Sequence, residues 1–209
     1  MNAQAGHGRA PVAEDPSVLA ANLSVGVRLF ASAIAFVFVA FVFAFFYLRA
    51  VNSNGLFRPP HTNPSAAYGI VMLVCVLGAT ALFFYARQSL AANARQGWLV
   101  GLAGSLALGV VFAVLQVLQY TNYGFAPDGG GYASVFVGWT VAFLFFWLGA
   151  LYWLETFLAQ SLRRPPAPAE SEIRRPLEVL GPSADACLAY LYLMAGVEIV
   201  AWILLYLVK

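Results

Sequence analysis

Apolar residues fill five long stretches of this chain, Leu29–Leu48, Ala66–Ala86, Gly97–Tyr120, Tyr132–Leu154 and Ala186–Val208, and the charged residues collect between them. The first stretch contains no charged residue at all. A helix needs about 20 apolar residues to cross roughly 30 Å of hydrocarbon, and each stretch reaches that length. Lipid offers no partner to a bare peptide group, so the backbone must satisfy its own hydrogen bonds within each segment. The alternating apolar and polar positions of barrel strands are absent. The pattern therefore predicts an all-α polytopic membrane protein, a bundle of five transmembrane helices.

Proline and glycine punctuate the links. Pro59, Pro60 and Pro64 interrupt the first, and the run Pro127, Asp128, Gly129, Gly130, Gly131 interrupts the third. Residues 163–183 carry Arg163, Arg164, Arg174 and Arg175 with five prolines, and read as an extended surface loop. Residues 1–24 are rich in Ala, Gly and Pro without the compact apolar core of a cleavable signal, and read as a flexible tail ahead of a five-helix domain over 25–209. Positive charge sets the orientation. With the N-terminus inside, Arg9, Arg28, Arg87, Arg95, Arg163, Arg164, Arg174 and Arg175 face the cytoplasm and only Arg49, Arg58 and Lys209 lie outside. The expected topology is N-terminus in and C-terminus out, with the tail and the 163–183 loop cytoplasmic. Tyr47, Tyr68, Trp98, Tyr120, Tyr123, Tyr132, Tyr152, Trp153 and Tyr206 mark span ends, where amphipathic rings favour the headgroup level.

Composition agrees: 62% of residues are hydrophobic and 10% charged, outside the range of soluble domains. A net charge of +2 without a basic stripe argues against a nucleic-acid partner. Cys75 and Cys187 fall in or beside apolar runs and read as small buried hydrophobes rather than a disulfide. The two histidines, His7 and His61, lie outside the spans, so no set of imidazole or thiolate ligands is spaced to hold haem, copper or iron. Met72 and Met194 read as gap fillers. No nucleophile–base pair, phosphate loop or zinc cluster stands out. The expectation is a chain with no catalytic, metal or cofactor-binding residues of its own.

Three intramembrane features remain. Gly97, Gly101, Ser105, Gly109 and Ala113 recur every four residues, a stripe that lets a second helix approach closely. Packing within the bundle is its first reading and a subunit-docking surface its second. Gln116 and Gln119 form an (i, i+3) pair suited to interhelical hydrogen bonds. Glu198 lies near the middle of the last span, where a carboxylate costs about 2.5–3.5 kcal/mol. It must be protonated, paired or turned to a polar crevice. A structural acid is the first reading and a proton-linked group the second. Glu155 reads as an interfacial charge, and Asp185 suits the start of the last helix. The seven phenylalanines Phe30, Phe36, Phe38, Phe41, Phe43, Phe45 and Phe46 surround the first helix, which must then meet lipid or an apolar subunit.

Several phrases carry a resemblance. Ala44-Phe45-Phe46-Tyr47-Leu48-Arg49, Gly97-Trp98-Leu99, Gln116-Val117-Leu118-Gln119-Tyr120, Tyr132-Ala133-Ser134-Val135-Phe136 and Leu148-Gly149-Ala150-Leu151-Tyr152-Trp153-Leu154 stand in order along the chain. From about Val25 onward the sequence resembles subunit III of the haem-copper respiratory oxidases, in its shorter five-helix bacterial form. Three polar positions differ. The family's Ser-Glu pair stands as Ser32-Ala33, the Glu after the paired glutamine as Gln119, and the two histidines of the fourth helix as Phe within Thr140–Phe146. The resemblance implies an accessory, non-redox subunit of a proton-pumping cytochrome c or quinol oxidase in a bacterial inner membrane. It also implies a catalytic subunit I and other oxidase subunits as partners, haem and copper held by those partners, bound phospholipid, and support of proton uptake. Two other readings stay open: an accessory subunit of a nitric oxide reductase, and a small transporter or scaffold using Glu198 as its proton-coupled site. The transporter would predict an inverted repeat, and the five spans show none.

Overall fold

The computed structural model describes residues 16–52, 57–59, 64–122, 124–125, 127–163 and 174–208. His7, His61 and the middle of the long link lie outside them. Among the described residues, five helices are long and apolar enough to cross a membrane. They are α1 (Pro16–Val51), α2 (Ala66–Ala91), α3 (Arg95–Thr121), α4 (Gly131–Arg163) and α5 (Arg174–Trp202), the last continued by a π-helix over Ile203–Leu207. This is a multi-pass membrane protein with an up-and-down helix bundle.

The helices outrun the apolar stretches that announce them. α1 has 36 residues, a length of about 54 Å at 1.5 Å per residue, nearly twice the hydrocarbon thickness. Two expectations are corrected here. The tail was expected to run to residue 24, yet α1 begins at Pro16. Proline is at home in a first helical turn, and residues 17–25 contain no further Pro or Gly. The 163–183 link was expected to be extended, yet residues 174–183 are helical and continuous with α5. Pro182 sits inside that helix, costing it one backbone rung without ending it. Apolarity marks the membrane-embedded part of a helix; its ends follow backbone preference, and a polar helix can continue into the headgroups.

The principal neighbours close a ring in the order α1, α4, α3, α2, α5, with α4 also touching α5 across it. α2 and α3 form the closest pair. Their turn is short because Asn93 takes a left-handed conformation (φ 56°) and Ala94 N–H donates to the Ser89 carbonyl at 2.8 Å. The small-residue stripe then lets α3 lie against α2. A Cβ at Gly101 would come within 2.8 Å of the Leu82 carbonyl oxygen, and one at Gly97 would collide with Ser89. Ser105 is fully buried and Ala113 packs on the core. At Gly109 the stripe turns to α4: Leu151 fills the space a Cβ would need, and Trp147 donates its indole N–H to the Gly109 carbonyl at 3.0 Å.

Aromatic rings fill the centre. Phe38 of α1 meets Trp139 of α4 at 5.5 Å between centroids, Phe112 of α3 meets Phe143 and Trp147 of α4 at 5.4 Å each, and the contacts are tilted or edge-on. Toward one end, Trp98 donates to the Ser161 hydroxyl (2.8 Å), which donates to the Phe157 carbonyl (2.7 Å). Arg87 closes that end with two hydrogen bonds to Asp185, at 2.6 and 2.9 Å, tying α2 to α5. α1 splits its phenylalanines by face. Phe38 and Phe45 are buried, whereas Phe36 and Phe43 are 78% and 70% exposed and look away from the bundle.

Candidate functional site

The opposite end of the bundle, where α5 finishes, holds the polar groups. Gln119 and Gln116 are buried on α3, one turn apart. Gln116 donates from Nε2 to Gln119 Oε1 at 3.2 Å, and Gln119 donates from Nε2 to the Tyr206 hydroxyl oxygen at 2.9 Å. The second bond joins α3 to the end of α5. An interhelical bond in a membrane protein contributes about 0.6 kcal/mol on average, so its main effect is to fix where Tyr206 points.

Two backbone features place that ring. Tyr206 lies within the π-helix, where the Val208 N–H reaches back five residues to the Ile203 carbonyl (3.0 Å). The wider turn rotates the side chains that follow relative to the α-helical register. Across from it, α2 carries Gly69, and a Cβ there would sit 2.7 Å from the ring. Glycine is what admits the tyrosine. Phe136 covers the other side edge-on at 5.9 Å.

The last carbonyls of α5 are also occupied. Tyr132 at the start of α4 donates its hydroxyl to the Leu205 carbonyl at 2.6 Å, and the Arg58 guanidinium reaches the Val208 carbonyl at 3.4 Å. The Arg58 cation lies 4.3 Å above the Tyr132 ring. Positive charge at a helix C-terminus complements its dipole. The short segment around Phe57 is held in turn by the Tyr132 N–H, which donates to the Phe57 carbonyl at 2.9 Å.

Glu198 lies two helical turns below Tyr206 and is 8% exposed. Its carboxyl makes no hydrogen bond or ion pair among the described residues, so pairing, one of the ways the sequence left for it to be tolerated, is not used among them. Trp202, one turn from each, has a buried indole N–H that also lacks a partner among the described residues. A small cleft opens at the surface above Gln119, lined by Ser65, Tyr68 and Asn122 among others. No three of His, Cys, Asp and Glu come together among the described residues. The groups gathered here are amides, hydroxyls, an indole and one carboxyl; all can hydrogen-bond water, and the carboxyl and hydroxyls can also transfer a proton.

Sequence reasoning named Glu198, Gln116 and Gln119, and the structure puts all three in the half of the bundle that ends at Val208. In the sequence Tyr206 and Tyr132 read only as interface aromatics, Arg58 only as an outside charge, and Gly69 has no part. The signal for Tyr206 was available: two buried glutamines need a partner at the same depth on another helix, and Tyr206 is the hydroxyl there. The stripe Gly97, Gly101, Ser105, Gly109 and Ala113 stands apart, against α2 and α4.

Comparison with known proteins gives a consistent picture. The family model for cytochrome c oxidase subunit III matches residues 13–162. A cytochrome c oxidase subunit 3 from Pyricularia grisea is 29% identical over 120 residues, which is 55% of this chain and 45% of that protein. One from Mycosarcoma maydis is 28% identical over 121 residues, 55% of this chain and 44% of that protein. The matches thus span under half the length of those relatives.

Proposed function

This chain belongs to the cytochrome c oxidase subunit III family, and from that membership we propose that it is the accessory, non-redox subunit of a proton-pumping haem-copper terminal oxidase. Its partners would be the catalytic subunit I, which carries haem and copper, and the other oxidase subunits. Its work there is structural: it steadies the catalytic subunit, holds phospholipid against its apolar faces and supports proton uptake. The proposed setting is a bacterial inner membrane with the N-terminus in the cytoplasm. That orientation puts Arg87, Arg95 and Arg163 on the inside and Arg58 outside, as the positive-inside bias requires.

The observation that carries the reading is the family match over residues 13–162, joined to what this fold has to offer a neighbour. α1 turns Leu29, Phe36, Phe43 and Tyr47 away from its own bundle, each more than half exposed. Such a face needs lipid or another apolar helix against it. Where the family's Glu is replaced by Ala33, the position lies on the exposed side of α1. The two family histidines become Phe143 and Phe146, and their place is taken by an aromatic core. A subunit so built supports a partner through surface and shape.

Depletion tests the proposal. Removing the chain from its own cell should leave haem synthesis intact while the oxidase loses stability, read as a shorter half-life of the catalytic subunit and falling turnover during sustained activity. An oxidase equally long-lived and active without the chain would contradict it.

A further inference from the structure

Glu198 and Trp202 lie one turn apart on one face of α5, and Tyr206, four residues further on in the π-helix, stays close to that face because four residues make nearly one full turn in either helix. All three carry unspent hydrogen-bonding capacity. The Tyr206 hydroxyl accepts from Gln119, and among the described residues its own proton has no acceptor. The Trp202 indole N–H is buried without a partner among the described residues, and the Glu198 side chain, 8% exposed, makes no hydrogen bond among them. Two donors with no acceptor thus stand on the same stripe as an acceptor with no donor. Unmet polar groups at this depth are costly and are usually met by water or by one another. At the top of the stripe, Gln119 lines the surface cleft together with Asn122, Ser65 and Tyr68. Polar contact is therefore continuous from the surface to Tyr206, and Trp202 and Glu198 follow below it along the helix without a direct hydrogen bond to it among the described residues.

We propose that Glu198 is a proton-exchange site served from the Val208 end of the bundle, along the stripe formed by Gln119, Tyr206 and Trp202. In the step itself the Glu198 O–H bond breaks and the carboxylate keeps the electron pair. The proton passes to water held by the Trp202 and Tyr206 donors and leaves at the cleft beside Gln119; uptake is the reverse. The helices packed on α5 bring no charge to oppose this. Their titratable side chains in this half are Tyr68 and Cys75 on α2 and Tyr132 on α4, with Tyr120 nearby on α3. On α1, Tyr47 and Arg49 are exposed, and Arg58 is engaged with Tyr132 and Val208. A neutral acid surrounded by neutral groups can take either protonation state without breaking an ion pair. This inference concerns the chain alone and holds whatever complex it joins.

Infrared spectroscopy of the full chain in lipid vesicles tests it. The protonated carboxyl of Glu198 should give a carbonyl stretching band that is lost in Glu198→Gln and shifts on transfer to heavy water. In Tyr206→Phe, which keeps the ring and removes only the hydroxyl, that shift should be at least about tenfold slower. Trp202→Phe should slow it in the same direction, so the result does not hang on one variant folding. Ser161→Ala, at the other end of the bundle, should leave the rate unchanged. Three results would overturn the proposal: no such band at any pH, exchange as fast in both ring variants as in the parent, or equal slowing in Ser161→Ala.

Discussion

A methyl group at position 69 has no room, because the ring of Tyr206 already lies where it would go. Gly69→Ala should therefore destabilise the bundle by about 1–3 kcal/mol, the usual cost of overpacking. It should also break the Gln119–Tyr206 bond by pushing the ring aside. Thermal unfolding in mild detergent reads the first effect, and the tyrosine's environment in ultraviolet difference spectra reads the second. Gly196 is the counter-case on α5, since nothing lies within 4 Å of a Cβ built there. Gly196→Ala should leave stability unchanged or raise it by no more than about 1 kcal/mol through helix propensity. The sequence makes Glu198, Gln116 and Gln119 legible because a polar side chain in an apolar run is conspicuous at once. Gly69 and Tyr206 are not legible in that way: each is ordinary for its helix, and only their meeting across α2 and α5 gives them meaning.

At the scale of the element, α3 shows what regular spacing can and cannot tell. The four-residue repeat from Gly97 to Ala113 announces close packing, but not that its first half serves α2 and Gly109 serves α4. The glycines of that face are also unequal. A Cβ at Gly101 would meet backbone atoms of Leu82 and Ala86, whereas one at Gly104 would meet only the flexible tip of Leu82. Gly101→Ala should consequently lower the unfolding temperature distinctly more than Gly104→Ala, and equal losses would contradict the packing described here. Helix ends were the least legible feature, as the early starts of α1 and α5 show, because apolarity reports the lipid boundary rather than the end of the hydrogen-bond ladder. The Arg87–Asp185 contact between α2 and α5 has side chains 23% and 58% exposed. Asp185→Asn should cost no more than about 1 kcal/mol, as exposed ion pairs do, and should matter less in high salt.

For the molecule as a whole, five spans were readable from apolar length alone, and the ring in which they pack was not, since any of several orders would bury the same residues. What the assembled bundle adds is a division of labour between its faces and ends. One end is clamped by Arg87, Asp185, Trp98 and Ser161; the other gathers Gln119, Tyr206 and Glu198; and α1 turns an aromatic face outward. The proposed role of this bundle is service to an oxidase. Its most direct test is to isolate the tagged chain from its own membranes in mild detergent and record a reduced-minus-oxidised absorbance spectrum of the eluate. Haem bands together with a large multi-span partner are expected. A colourless eluate containing this chain alone, from membranes that still show haem, would contradict it.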